Sequence, residues 1–196
     1  MAVTPNYSWP VPVNTDYVKD GAEAIKALGD AIDSTVFGLP SGALTLVKSQ
    51  VIGTAVSSVA VSDAFSATYD AYEIIITGGT STAPNDISLI MTGSTTGYYL
   101  GYSLIAFASS AISGVSNNNA SSWTYVGRAQ SDYINLTTTL INPFLAKPTI
   151  IKGASTLLVQ SLMFSGYHAP ATSYTGFTIS TTSMTGGTIR VYGYQN

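Results

Sequence analysis

Short apolar runs, separated by clusters of Gly, Ser, Thr and Asn, fill the sequence from residue 43 to its end. Their β-branched and aromatic content and their length are those of strands. Ten such runs occur, at 43–48, 56–61, 71–77, 87–92, 98–108, 122–128, 133–141, 156–164, 174–180 and 187–194. No second helix is indicated among them. The pattern predicts a mainly β domain over residues 43–196, a jelly-roll-like antiparallel β-sandwich.

The first 13 residues differ from the rest in being rich in proline and aromatic side chains. They contain Pro5, Pro10, Pro12, Tyr7 and Trp9. Because proline fixes φ and favours an extended predecessor, an extended arm is predicted. Such an arm cannot bury Trp9 against itself, so Trp9 is expected to dock on the chain's own domain or on a partner. The predicted anchoring residues are Tyr7, Trp9, Pro10 and Pro12.

Residues 14–36 follow as one short amphipathic helix, with Asn14, Thr15 or Asp16 as its cap. The apolar residues recur at heptad-like spacing and predict a seam of Val18, Ile25, Leu28 and Ile32. So short a helix is marginal alone in water, and therefore needs a partner. Two partners remain open at this point: sister chains in a coiled coil, or the chain's own β domain. The Gly- and Pro-containing stretch 37–42 (FGLPSG) predicts a linker.

The formal charge of the chain is concentrated on that helix. Residues 15–36 hold two lysines and five acids, 2 − 5 = −3, whereas residues 37–196 hold five bases and five acids, 5 − 5 = 0. No stretch clusters Lys or Arg, and phosphate binding requires such clusters. Nucleic acid is therefore not an expected partner.

Residues with metal-binding or nucleophilic chemistry are scarce. The chain has no cysteine and one histidine, His168, and shows no recognised nucleotide- or calcium-binding motif. No cofactor, metal or enzymatic activity is expected. The sequence also has no apolar run of about 18 residues and no secretory signal, so neither membrane insertion nor secretion by that route is expected.

Aromatic residues in hydroxyl-rich segments are the one candidate ligand surface. Tyrosine and tryptophan offer large contact areas at low entropic cost, which suits binding of protein or sugar. Alternation on strands would instead place them in a sandwich core or between subunits. The residues concerned are Tyr98, Tyr99, Tyr102, Trp123, Tyr125, Tyr167 and His168.

Three segments carry a family resemblance. The stretch 4–33 (TPNYSWPVPVNTDYVKDGAEAIKALGDAID) resembles the head of small structural proteins of tailed bacteriophages, in which a proline–aromatic arm precedes a DxVKDGxxAIxxLGxxID helix. The stretches AFSATYDAYEIIITG (64–78) and TGFTISTTSMTGGTIRVYGYQN (175–196) resemble their β domains more loosely. Residues 78–170 carry no such resemblance.

The resemblance implies a virion structural protein, a homotrimeric fibre or spike on the virion surface. The arm would bind other virion proteins of the capsid, portal, neck or tail, and the β domain would face the host surface, where it could contact a glycan or a protein. Assembly in the host cytoplasm and release by lysis would follow. Two alternatives are a capsid decoration protein that stabilises the head, and a carbohydrate-binding, lectin-like module.

Overall fold

Two compact units make up the chain, residues 1–42 and residues 43–196. A computed structural model describes residues 2–13, 17–38, 43–156 and 158–195. The predicted cap at Asn14, Thr15 or Asp16 and residues 39–42 of the predicted linker lie outside the described residues. Strands contain 54% of the residues and helices 11%, which confirms the predicted mainly β fold class.

The N-terminal arm is a small hairpin, not the extended segment predicted from its prolines. Strands β1 (Ala2–Val3) and β2 (Pro10–Val11) pair antiparallel. The intervening turn is closed by the Thr4 amide, which donates to the Trp9 carbonyl at 2.9 Å, and by the Ser8 amide, which donates to the Thr4 carbonyl at 3.0 Å. Fixed φ angles are as compatible with a turn as with an extended arm, so proline content alone could not decide.

A helix follows the arm and holds its tryptophan. A 3₁₀ turn (Val18–Asp20) leads into α1 (Gly21–Gly38), which ends two residues beyond the predicted end at Val36. The Trp9 indole N–H donates to Thr35 Oγ1 on α1 at 2.8 Å, and Tyr7 stacks on Trp9 with ring centroids 5.1 Å apart. Trp9 therefore docks within its own chain and is half-buried, whereas Tyr7 stays 58% exposed.

Thirteen strands form the second unit. They are β3 (Leu44–Val51), β4 (Val56–Val61), β5 (Ala71–Thr77), β6 (Thr80–Ser81), β7 (Asn85–Met91), β8 (Tyr98–Ala106), β9 (Ile112–Ala120), β10 (Trp123–Ala129), β11 (Ile134–Ile141), β12 (Thr149–Thr156), β13 (Gln160–His168), β14 (Phe177–Thr185) and β15 (Thr188–Tyr194). Three of them, β6, β9 and β12, were not predicted. The run predicted at 156–164 is interrupted near residue 158, so that its larger part begins β13.

The two layers have jelly-roll strand order. One layer contains β3-β15-β5-β11 side by side, and the other contains β4-β14-β7-β10 with the short β6 beside β14. Along the chain these eight strands alternate between the layers, except that β7 and β10 follow each other in the same layer, and the pairings within each layer are antiparallel. Alternation of this kind produces the two Greek keys of a jelly roll. The predicted antiparallel β-sandwich is confirmed.

Two hairpin insertions widen the first layer. The hairpin β8–β9 lies between β7 and β10 in the chain, and the hairpin β12–β13 lies between β11 and β14. Both join the edge at β11, in the order β11-β12-β13-β8-β9. We call these four strands the extension. The eight-stranded layer that results projects beyond the four-stranded layer.

Apolar side chains from both layers fill the space between them. Strand periodicity places alternate residues inward, as on β5 and β7, whose fully buried members are Tyr72, Ile74, Ile87, Leu89 and Met91. Phe65, in the loop before β5, contacts Tyr72 of one layer and Phe177 of the other, at centroid distances of 4.8 and 5.6 Å. Within the described residues, no helix is long and apolar enough to cross a membrane.

Substitution of the most enclosed side chain tests this core. Trp123 on β10 has no exposed surface, and Trp123→Ala is expected to lower the free energy of unfolding by about 3–5 kcal/mol because it leaves a cavity. The measurement is urea denaturation of the full chain. Ile112→Ala is the control, because Ile112 is 72% exposed and its loss should cost less than about 1 kcal/mol. Equal losses in the two variants would contradict this core.

Candidate functional site

Most of the predicted ligand surface is core. Tyr98, Trp123 and His168 have no exposed surface, and Tyr102 is 9% exposed. The prediction that these four could contact a ligand is wrong in this fold, because strand alternation points them inward from β8, β10 and β13. Tyr99, Tyr125 and Tyr167 remain at least partly accessible.

His168 is enclosed by aromatic rings. Its ring centroid lies 4.3 Å from that of Tyr98, 5.3 Å from that of Tyr174 and 6.0 Å from that of Trp123. Its Nε2 lies 3.0 Å from the Thr96 carbonyl and 2.8 Å from Ser94 Oγ. A carbonyl only accepts, so Nε2 carries the proton and Nδ1 is the bare nitrogen. The Ser94–His168 contact therefore lacks the free Nε2 lone pair with which a general base would activate a serine.

Burial also sets the charge of this histidine. It lowers the pKa of His168 below the ordinary 6.5, and the hydrogen bond to the Thr96 carbonyl opposes the effect. Nδ1 is buried and has no hydrogen-bond partner. The ring is thus a neutral core group that links the end of β13 to the turn before β8.

A half-buried ion pair lies beside Tyr102 and Tyr125. Arg128 Nη1 on β10 donates to Asp86 Oδ1 on β7, and the two residues are direct register partners. Tyr125 stacks on Tyr102 at 4.7 Å. Its backbone has φ 62°, within a register shift of β10 between Trp123 and Gly127. The bulge turns Tyr125 away from strict alternation, toward the ion pair.

The pKa values of both tyrosine hydroxyls are raised, by Asp86 first at Tyr125 and by burial first at Tyr102. The pKa of Tyr125 is raised by its hydrogen bond to the Asp86 carboxylate and by the charge of that group, and the pKa of Tyr102 is raised by burial and then by Asp86. The cluster offers donors and a neutralised carboxylate. Neither a nucleophile nor a free base is present in it. Nothing in the sequence reveals the register partner of Asp86, so the sequence alone did not indicate this cluster.

A groove crosses the outer face of the large sheet, over β11 and the three nearest strands of the extension. It has a volume of about 700 Å³ and runs across β11, β12, β13 and β8. Its outward-facing residues are Gly101, Ser103, Thr139, Lys152, Ala154, Met163 and Ser165, with backbone of the intervening residues as floor. We call this surface the insertion groove. Sequence reasoning missed all of these residues, since each is ordinary by itself and only the strand register brings them together.

Two of the predicted aromatic residues border this groove. Tyr99 on β8 and Tyr167 on β13 are direct cross-strand neighbours, with parallel rings 4.6 Å apart. They lie two residues along the same face from the pair Gly101 and Ser165. Tyr167 is 44% exposed. The sequence prediction of an aromatic surface thus survives for this pair.

The Glu73 carboxylate lies at the β11 end of the groove, opposite Thr139. Glu73 on β5 accepts hydrogen bonds from Thr139 Oγ1 at 2.9 Å and from the Tyr194 hydroxyl at 3.0 Å. Burial, followed by the hydrogen bond to Glu73, raises the pKa of Tyr194. Glu73 is therefore engaged in holding three neighbouring strands together.

The predicted helix seam is divided between two faces of α1. Leu28 is half-buried and lies near the face that carries Thr35 and the buried Ala24, where Trp9 is bound. Val18 and Ile25 are 97% and 65% exposed, and Ile32 is half-buried. The exposed side chains align instead with Ala22, Gly29 and Val36 at spacings of three and four. We call Val18, Ala22, Ile25, Gly29, Ile32 and Val36 the helix stripe.

Among the described residues, no group of three or more His, Cys, Asp or Glu side chains could hold a metal ion.

The buried histidine predicts a pH dependence of stability. Because the folded-state pKa is below that of the unfolded chain, the unfolded chain takes up the proton first as the pH falls through about 6.5. Stability is full above that pH and falls below it, by at most about 1.4 kcal/mol per pH unit. Urea denaturation at pH 7.5 and 5.5 measures the difference.

His168→Gln is the matched variant, since the chain has no other histidine. The Gln amide N–H can still donate to the Thr96 carbonyl, and the variant should lose the decline between pH 7.5 and 5.5. An unchanged decline in the variant would show that another group causes it.

Comparison of the chain with protein-family models, with curated proteins and with solved structures found no match in any of the three.

Proposed function

We propose that this chain is a structural protein of a bacteriophage virion. Its arm and helix attach it to the particle and to sister chains, and its β-sandwich is displayed on the virion surface as a fibre or spike. The proposal is supported by the resemblance of residues 4–33 to the heads of tailed-phage structural proteins and by the division into two compact units.

Exposed apolar side chains on the first unit are the observation that carries the proposal. Seven large ones have at least 57% of their surface exposed: Val3, Tyr7, Tyr17, Val18, Ile25, Val36 and Phe37. Apolar surface of this density is typical of a region that another protein covers. A unit built from one hairpin and one helix is also too small to be stable by its own core.

The helix stripe is the part that suits sister chains. Its members alternate at spacings of three and four, the pattern that coiled-coil helices bury against each other. The small residues Ala22 and Gly29 allow close approach of backbones. The charged residues Lys19, Glu23, Lys26 and Asp30 lie on the remaining side of the helix, away from both Trp9 and the stripe. Three such helices would form a homotrimer with the arm hairpins on its outside.

The arm hairpin is the part that suits the particle. Tyr7 is exposed and stacked on Trp9, and Trp9 is fixed by Thr35. The aromatic pair is therefore held in one orientation before binding, which reduces the entropy lost on docking. Pro10 lies in β2 and Pro12 follows it, and both restrict the backbone of the same segment.

Particle incorporation tests the attachment. The full chain is expected in purified virions of the phage that encodes it, and its absence there would overturn the proposal. Trp9→Ala is expected to reduce the incorporated amount roughly tenfold or more, because buried tryptophans dominate interface energies. Quantitative mass spectrometry of particles measures the amount. Tyr167→Ala in the β-sandwich is the control and should be incorporated normally.

The oligomeric state tests the helix stripe. The full chain is expected to be trimeric at micromolar concentration in light scattering. Ile25→Lys is expected to make it monomeric, since a charge would have to be buried in the seam. Glu23→Lys, on the polar side of the same helix, should remain trimeric. A monomeric wild-type chain would refute the trimer, and a trimeric Ile25→Lys variant would place its contacts elsewhere.

A further inference from the structure

The insertion groove is created where two separate insertions meet. Strand β8 belongs to the insertion before β10, and β13 belongs to the insertion before β14. They pair along their whole lengths, from Gln160 with Ala106 to His168 with Tyr98. The eight jelly-roll strands form a sandwich without them. Insertions that a scaffold does not need for its core are where binding sites concentrate.

Strand register explains the shape of the groove. Thr139, Lys152, Ser165 and Gly101 are successive cross-strand partners, and so form one row across four strands. On the next row, Ala154, Met163 and Ser103 are partners in the same way. Apart from Lys152 and Met163, these side chains are small. The small side chains of these two rows lie beside the larger Tyr99–Tyr167 pair. The difference in side-chain size leaves an open groove across the sheet.

The lining is mostly apolar, with three side-chain hydroxyls on the outward strand positions and one charge. Ser103, Thr139 and Ser165 supply hydroxyls, and the only ionised group in the lining is the Lys152 ammonium. Lys152 is exposed and takes part in neither of the two ion pairs that the described residues form. The nearest acid in its row is Glu73, beyond Thr139, which already accepts two hydrogen bonds. Lys152 therefore has no ion-pair partner among the described residues.

This surface matches one class of ligand. A polyol chain can use scattered hydroxyls as donors and acceptors, and can lay its C–H face on an exposed aromatic pair. The Lys152 ammonium, which has no ion-pair partner among the described residues, favours a carboxylate on that chain. Nucleic acid would need several cations, and a peptide strand would need a free sheet edge, which the groove does not have because every one of its four strands is paired on both sides.

We propose that the insertion groove binds an acidic polysaccharide of the bacterial cell surface. Lys152 binds a uronate carboxylate, Ser103 and Ser165 bond to sugar hydroxyls, and Tyr99 with Tyr167 supports the ring of a neighbouring sugar. The volume of about 700 Å³ lies within the range of small-molecule sites, and the open ends allow the chain to continue. The source of the polysaccharide rests on the proposed function, whereas its chemical class rests on the groove.

Binding of defined oligosaccharides to the full chain is the test. Tetragalacturonate and tetramannuronate are the acidic probes and maltotetraose is the neutral one, with affinity measured by isothermal titration calorimetry. At least one of the two acidic probes should bind more tightly than maltotetraose. Failure of both to bind, or equal binding of maltotetraose, would overturn the proposal.

Matched variants locate the binding. Lys152→Gln is expected to weaken binding of the acidic probe roughly tenfold, and to remove most of its salt dependence. Tyr167→Ala should weaken it about fivefold or more, because the aromatic support is lost. Lys147→Gln removes the same charge from an exposed loop residue outside the groove and should bind as the wild type does. An equal effect of both lysine substitutions would overturn the site.

The two proposals fail independently. A chain that is incorporated into virions but binds neither acidic probe contradicts only the groove. A chain that binds them through Lys152 but is absent from virions contradicts only the virion role. The unfolding midpoints of the two lysine variants should equal that of the wild type, and the midpoint of Tyr167→Ala shows whether its loss of binding is a loss of fold.

Discussion

Trp123 holds the extension of the large sheet against the sandwich. It stands on β10, in the smaller layer, and packs edge-on against Tyr98 of β8 at a centroid distance of 5.1 Å. Its indole N–H donates to the carbonyl of Tyr167 on β13 at 3.3 Å. One buried side chain thus contacts both insertions. It is the largest of the fully buried side chains and adds to the anchoring that Leu100, Leu162 and Phe164 of the same two strands give.

The two faces of the extension have divided roles as a consequence. Inward residues such as Leu162 and Phe164 continue the core, and Phe164 lies over Gly153, where a Cβ atom would approach its ring to 2.5 Å. At the alternate positions, the outward residues Gly101, Ser103, Ala154 and Ser165 are small. The contrast arises because successive strand residues point to opposite faces, so one sequence can satisfy a core and a solvent surface together. The inward residues hold these strands on the core, and their outward faces form the groove.

Helix α1 shows a similar division among three sides. One side binds Trp9 through Thr35, one carries the charged residues, and the helix stripe remains apolar and largely exposed. A hairpin arm that occupies one side leaves a narrower apolar stripe for assembly than the heptad pattern alone implies. Leu28 was predicted to lie in the seam but belongs to the side that binds Trp9, because it lies closer to Thr35 than to Val18 around the helix axis.

Residue patterns alone were sufficient for the fold class, one short N-terminal helix and most strands, because β-branched alternation and heptad spacing are local signals. They also indicated an aromatic surface, which survives at Tyr99 and Tyr167. Strand β9 was missed because ISGVSNNNA has little apolar content, and β12 because Lys152 and Gly153 interrupt its apolar run. Both form strands because neighbours supply their hydrogen bonds.

Only the tertiary structure decided which aromatic residues are buried and which small polar residues share a groove. Burial of Tyr98, Trp123 and His168 follows from the packing of β10 under two insertions, and the row from Thr139 to Gly101 follows from register between strands distant in sequence. A sequence determines periodicity along each strand, whereas position across strands is set by long-range pairing. That pairing is selected by the whole core, so no local pattern records it.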